Sequence, residues 1–176
     1  MSGPDARLAA LFEEHAPRLF AYARRQVGPA EAEDLVSEAF IVAMNRLEDL
    51  PKEPGEAFAW LVGTVRKLAA NQRRRLKTQD RHWREAVRQG WHVTGSAEDA
   101  FAQRERCLVA LASLSATDRE LLLLVAWEGL STDQAATVLG ISKNTFSVRL
   151  HRARQRLETH IHPAPEPALR AVTPAE

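Results

Sequence analysis

The stretch from Ser131 to Leu157, STDQAATVLGISKNTFSVRLHRARQRL, leaves little freedom in how it folds. Ser131 and Gln134 have capping-box spacing, so a helix is predicted to begin at Thr132 with two orphan backbone N–H groups satisfied. Gly140 ends it, because glycine accepts the left-handed conformation that a tight exit needs. Ser142 carries a side-chain oxygen suited to capping and opens a second helix almost at once. Two helices joined so closely must cross steeply, which is the arrangement of a helix-turn-helix.

In the second helix Phe146, Leu150, Ala153 and Leu157 recur at spacings of four, three and four, one apolar face. Ala135, Val138 and Leu139 are expected to supply the facing surface, with Ile141 plugging the turn. The opposite side shows Lys143, Asn144, Ser147, Arg149, Arg152, Arg154 and Arg156, and Asp133 is the only acid in the stretch. Five cations less one anion give plus four on a chain whose formal net charge is only plus one. That concentration beside a hydrogen-bonding helix start suits DNA, with arginines for phosphates and Lys, Asn and Ser for base edges in the major groove. A merely solvated face would explain the charge, but not its agreement with caps, glycine and core spacing.

The rest of the chain looks helical throughout. Its periodic segments are rich in Ala, Leu, Glu, Arg and Gln, and no run alternates as a strand does. The expected fold class is all-α: two small helical domains joined by a flexible linker. At 176 residues either one domain or two could bury a core. No apolar run approaches the roughly 20 residues of a membrane helix. The opening MSGPDARLAALFEEH lacks the pattern of a signal peptide, so a cytoplasmic location is expected. The single Cys107 excludes an internal disulfide and is expected to pack beside Leu108 and Leu111.

Residues 5–76 make the first unit. Leu8, Leu11 and Phe12 form one short stripe, and Leu19, Phe20, Ala23 and Val27 a second that Gly28-Pro29 ends. A third helix is predicted from Ala30 to Leu47, with Ala32, Leu35, Val36, Ala39, Phe40, Ala43 and Leu47 inward. Its outer side carries Glu31, Glu33, Asp34 and Glu38, with Glu48 and Asp49 at its end and Arg46 the lone cation, an acidic surface on a near-neutral protein. An irregular loop with Pro51, Lys52, Pro54 and Gly55 follows. Then Phe58, Leu61, Val65 and Leu68 mark a further helix, with Trp60 filling the core. Its end holds Arg66, Lys67, Arg73, Arg74, Arg75 and Lys77, with Asn71 and Gln72 interleaved and no acid, a second candidate nucleic-acid surface.

Residues 77–97 lose the apolar period and read as a linker; Trp83 and Trp91 within it are expected to pack back on a neighbouring domain. The second unit, 98–158, opens with a helix marked by Phe101, Leu108, Leu111 and Leu114. A second helix, opened by Ser115 with Asp118 in capping-box spacing, holds Leu121, Leu122, Leu124 and Val125 and stops at Gly129. Residues 159–176, rich in Pro, are expected to be a disordered tail. His160 and His162 lack a Cys or carboxylate cluster, so no metal is expected, and no cofactor. Neither a Ser-His-Asp ordering, a glycine-rich phosphate loop nor HExxH spacing is present, so no catalytic residues are assigned.

Taken in order, AEAEDLVSEAF, AWLVGTVRKLAANQRRR and LSATDRELLLLVAWEGLSTDQAATVLGISKNTFSVRLHRARQRL resemble the bacterial sigma factors of RNA polymerase, in the small extracytoplasmic-function group that keeps only conserved regions two and four. The resemblance implies that the helix around Glu33, Asp34, Leu35, Val36, Glu38 and Ala39 grips the clamp-helix coiled coil of core RNA polymerase. It implies that the loop from Leu50 to Glu56, with Lys52, and the helix bearing Arg66, Lys67, Asn71, Arg73, Arg74 and Arg75 capture and melt the minus-10 element, bases held in pockets and cations along the backbone. The recognition helix, through Ser142, Lys143, Asn144, Ser147, Val148, Arg149 and Arg152, would read the minus-35 element of promoter DNA. The linker would thread through the polymerase. An anti-sigma factor is the implied regulatory partner, with membrane contact only through such a partner if it is membrane-anchored. The alternative is a helix-turn-helix regulator that is not a polymerase subunit, but such effectors usually carry a strand-rich domain.

Overall fold

A computed structural model describes residues 4–76 and 97–161, with side chains for 6–72 and 102–161. The described chain forms α1 (Pro4–Val27), α2 (Pro29–Asn45), α3 (Pro54–Leu76), α4 (Ala97–Ser113), α5 (Ala116–Ala126), α6 (Thr132–Leu139) and α7 (Lys143–Ile161), with no strand among the described residues. Helices α1, α2 and α3 pack on one another as a first bundle, and α4, α5 and α6 gather around α7 as a second. The bundles touch along α3 and α6, so one apolar cluster runs from Leu11 to Ala153.

Where two helices were expected before Gly28, the structure has one. Helix α1 runs unbroken through Pro17, which is exposed. The two stripes are a single face with a polar residue in its middle slot: Leu11, His15, Leu19 and Tyr22 are all buried, at spacings of four, four and three. A histidine hid the continuity of the period. Pro17 withholds the N–H that would have bonded the carbonyl four residues back, but the surrounding helix is held by packing on α2 and α3.

Gly28 does break the chain, at φ 96°, and Pro29 opens α2. Helix α2 stops at Asn45 rather than continuing to Leu47, and α3 begins at Pro54, inside the stretch expected to be loop. The remaining connection is shorter and better held than its composition implies. Arg7 on α1 donates to the carbonyls of Leu47, Leu50 and Pro51 at 3.3, 2.8 and 2.7 Å, while Leu50 is buried. Three otherwise orphaned acceptors are thereby fixed by one planar, five-donor side chain.

Thr159, His160 and Ile161, expected to begin the tail, continue α7 instead; Trp83, Trp91 and residues 162–176 lie outside the described residues, as does the side chain of Phe101. Cys107 is half-buried in α4 next to buried Leu108, and burial pushes its thiol pKa up, the behaviour of a packing residue rather than a reactive one.

Candidate nucleic-acid interface

The helix-turn-helix folds from its punctuation. Ser131 Oγ accepts from Gln134 N at 3.2 Å and Gln134 Oε1 from Ser131 N at 2.9 Å, the reciprocal box. Gly140 lies at φ 68° and ψ 34°, left-handed, and closes α6. Ser142 Oγ then accepts from Thr145 N at 3.2 Å to open α7. The box at Ser115 forms only half. Ser115 Oγ takes Asp118 N, but the shorter Asp118 side chain turns to Arg156 at 2.6 Å, bracing α5 against α7.

Phe146, Leu150 and Ala153 bury the inner face of α7, and Leu157 is half-buried. Ser142, Lys143, Asn144, Ser147, Val148, Arg149 and Arg152 are all exposed on the outer side. Val148, 43% exposed, is an apolar spot among polar groups, the kind of surface that meets a thymine methyl. Lys143 pairs with Asp133 at 2.7 Å across the turn. Arg149, Arg152 and Arg154 have no ion-pair partner among the described residues and are left to an external anion.

Beside α3 lies a cavity of about 300 Å³, walled by Trp60, Gly63, Thr64 and Lys67 of α3, by Arg46 and Pro51, and by Gln134 and Val138 of α6. Apolar walls with a few convergent polar groups suit a flat, partly polar ligand such as a base. Lys67 and Lys52 are exposed, as is Asn71. Arg66 is turned inward instead. Its Nε donates to Glu120 Oε1 of the second bundle at 2.8 Å, and although burial opposes the charge, that carboxylate raises its pKa overall. The side chains of Arg73, Arg74 and Arg75 lie outside the described residues; the backbone carrying them is helical.

On α2 the expected patch divides. Glu33, Asp34 and Glu38 are exposed, whereas Leu35 and Ala39 are 3% and 0% exposed and serve the core. Their spacing within the buried stripe follows the helical period, so any docking surface is made by the acids and by residues the sequence reading passed over: Ile41 and Met44, 54% and 50% exposed. The signal was available, since both fall off the buried stripe and on the side of Glu38. No group of three His, Cys, Asp or Glu side chains that could hold a metal occurs among the described residues. Nor is any described helix long and apolar enough to cross a membrane.

Two helical bundles, one with a punctuated helix-turn-helix and one with an acidic helix beside a walled cavity, define a helical nucleic-acid-binding protein in two parts. Comparison with known proteins makes that class specific. Residues 11–79 match the model of sigma-70 region 2, and residues 104–157 that of sigma-70 region 4. The ECF RNA polymerase sigma factor SigL of Mycobacterium tuberculosis is 34% identical over 86% of this chain and 87% of its own length. EcfG of Rhodopseudomonas palustris is 28% identical over 83% and 80%. Among solved structures, the sigma factor RpoE of Bartonella quintana in complex with the anti-sigma factor NepR superposes with a TM-score of 0.60 at 24% identity, covering 88% of this chain and 96% of that one. The chain belongs to the sigma-70 family, as an extracytoplasmic-function sigma factor with regions two and four.

Proposed function

We propose that this chain is the promoter-specificity subunit of a bacterial RNA polymerase, with no catalysis of its own, working in the cytoplasm. Residues 5–76 and 98–158 act as separate modules, tethered by 77–97. Glu33, Asp34 and Glu38, flanked by Ile41 and Met44, dock the polymerase clamp helices. An anionic rim around an apolar centre is a suitable complement to a basic helical partner. The cavity beside Trp60 and Lys67 takes a base of the minus-10 element once it leaves the stack, with Lys52, Asn71 and Arg73 to Arg75 along the strand. Helix α7 reads the minus-35 element, phosphates falling to Arg149 and Arg152 and base edges to Lys143, Asn144, Ser147 and Val148. An anti-sigma protein is the fitting regulator, since the sigma factor RpoE of Bartonella quintana, which shares this fold, is held by the anti-sigma factor NepR.

The observation that carries this reading is that one chain of the sigma-70 family exposes three acids beside two apolar side chains on α2. Its test is a pulldown and run-off transcription with purified core polymerase. Asp34→Lys together with Glu38→Lys should weaken core binding at least tenfold and leave thermal stability unchanged, because neither side chain enters the core. Undiminished capture of core would remove the docking assignment. Tight, selective duplex binding by the native protein in the absence of polymerase would favour a plain regulator instead.

A further inference from the structure

Glu56, Trp60, Gly63 and Lys67 follow one another along α3 at spacings of four, three and four, so they share one face and span about 16 Å of helix. With Thr64 they floor the cavity beside α3. Val42, Arg46 and Pro51 close a second side, and Gln134, Thr137 and Val138 of α6 a third. At the Glu56 end Gln134 Nε2 donates to Glu56 Oε1 at 3.1 Å, while Gln134 Oε1 is taken by the Ser131 N–H. The enclosed space, about 300 Å³, is at the low end for small-molecule sites and fits one ring system with a short arm.

The polar groups around this space differ in what they still lack. The Thr64 and Thr137 hydroxyls each donate to the carbonyl four residues back on their own helix, both at 3.0 Å, so each oxygen is left as an acceptor. Lys67 is exposed and has no ion-pair partner among the described residues. Arg46 meets Asp49 at 3.7 Å, with side chains 63% and 65% exposed, a long and solvated contact that leaves its charge available. Trp60 is half-buried and offers an aromatic surface on which a flat ring can stack. Acceptors suit N–H groups at a ring edge, and unpaired cations suit an anion. Glu56, the one acid lining the cavity, stands at the far end of the floor from Lys67, so an anionic arm is directed to the Lys67 end.

We propose that this cavity is an effector site for a small planar aromatic anion with N–H groups at its ring edge, stacked on Trp60, its anionic arm on Lys67 and its N–H groups on Thr64 and Thr137. Such an occupant touches both bundles, because Trp60 and Lys67 belong to one and Thr137 and Val138 to the other. It is therefore a ligand of the free chain, bound while those walls face each other. Two kinds of molecule carry this chemistry, a free nucleotide and an amino-substituted aromatic acid. The site goes beyond the promoter reading and does not need the minus-10 role proposed for the same cavity.

The experiment follows the Trp60 indole N–H by heteronuclear NMR on the full chain, its resonance assigned with Trp60→Phe, with neither DNA nor polymerase present. Adenosine monophosphate and 2-aminobenzoate are the anionic probes, adenosine and aniline their uncharged counterparts. At least one anion should shift the resonance saturably and bind about tenfold or more tightly than its counterpart. Lys67→Gln should erase that preference while keeping the affinity for the uncharged probe, a split that loss of packing would not produce. Thr137→Val should weaken the bound anion severalfold. Arg106→Gln, which removes an exposed cation on α4, should leave every affinity unchanged. Saturation by adenosine monophosphate alone makes the occupant a nucleotide, and saturation by 2-aminobenzoate alone makes it an aromatic acid; either sustains the site. No saturable shift with either anion, or equal losses in Lys67→Gln and Arg106→Gln, overturns it. That failure would leave core-polymerase capture standing, and failure of the polymerase pulldown would leave this binding untouched.

Discussion

His15 illustrates how much one side chain can conceal and then control. It occupies a core position on α1, 3% exposed, with its ring 5.4 Å from Phe58 and neither nitrogen within ordinary hydrogen-bond geometry of a partner. Burial pulls its pKa below 6.5; Arg18 acts in the same direction, and Glu14 and the Pro54 backbone oppose. The unfolded chain therefore takes up this proton at a higher pH than the folded one. The resulting stability is complete above pH 6.5 and is lost as pH falls from 6.5 through the lower folded value. Urea midpoints should decline between pH 7.5 and pH 5.5 in the native protein and decline less in His15→Leu, which keeps the apolar packing. Equal declines in the two proteins would assign the pH dependence elsewhere.

Legibility varied from element to element according to how local the cause is. Helices α6 and α7 could be read nearly to the residue, because a capping box, a left-handed glycine and a serine cap act within four residues of one another. The pairing of Asp118 with Arg156 could not, since its partners lie 38 residues apart. Helix α1 was misdivided because histidine weighs nothing in an apolar count, so buried His15 left a gap between the two stripes. On α2 the charged members are exposed and Leu35 and Ala39 buried, as the helical period has them; it is the resemblance that also gave Leu35 and Ala39 a docking role, which their burial in the core does not suit. The continuity of α1 has a measurable consequence. Pro17 lies in a helix interior on the exposed side, so Pro17→Ala restores a backbone hydrogen bond and removes a steric conflict. The gain should be about 1–3 kcal/mol in chemical denaturation. Loss of stability instead would mean that α1 depends on a proline-induced bend for its packing on α2 and α3.

At the scale of the whole molecule, the contact between bundles carried no local signal at all. Arg25, Glu128, Arg66 and Glu120 look like solvated charges in the sequence, and only folding brings them into pairs. What the sequence does fix is how far the bundles can part. Leu76 and Ala97 bracket 20 residues, which reach about 70 Å when fully extended. Each bundle adds a radius of about 14 Å. The total, about 100 Å, exceeds the roughly 85 Å between promoter elements, and the margin is small. Deleting eight residues between 77 and 96 cuts the tether to about 42 Å and the total to about 70 Å, short of the span. Such a variant should still bind core polymerase in a pulldown, because α2 is untouched, yet transcription from promoters that need both elements should fall at least tenfold. Full transcription from those promoters would show that the polymerase brings the two elements closer together than straight duplex allows, so that tether length is not what limits promoter engagement.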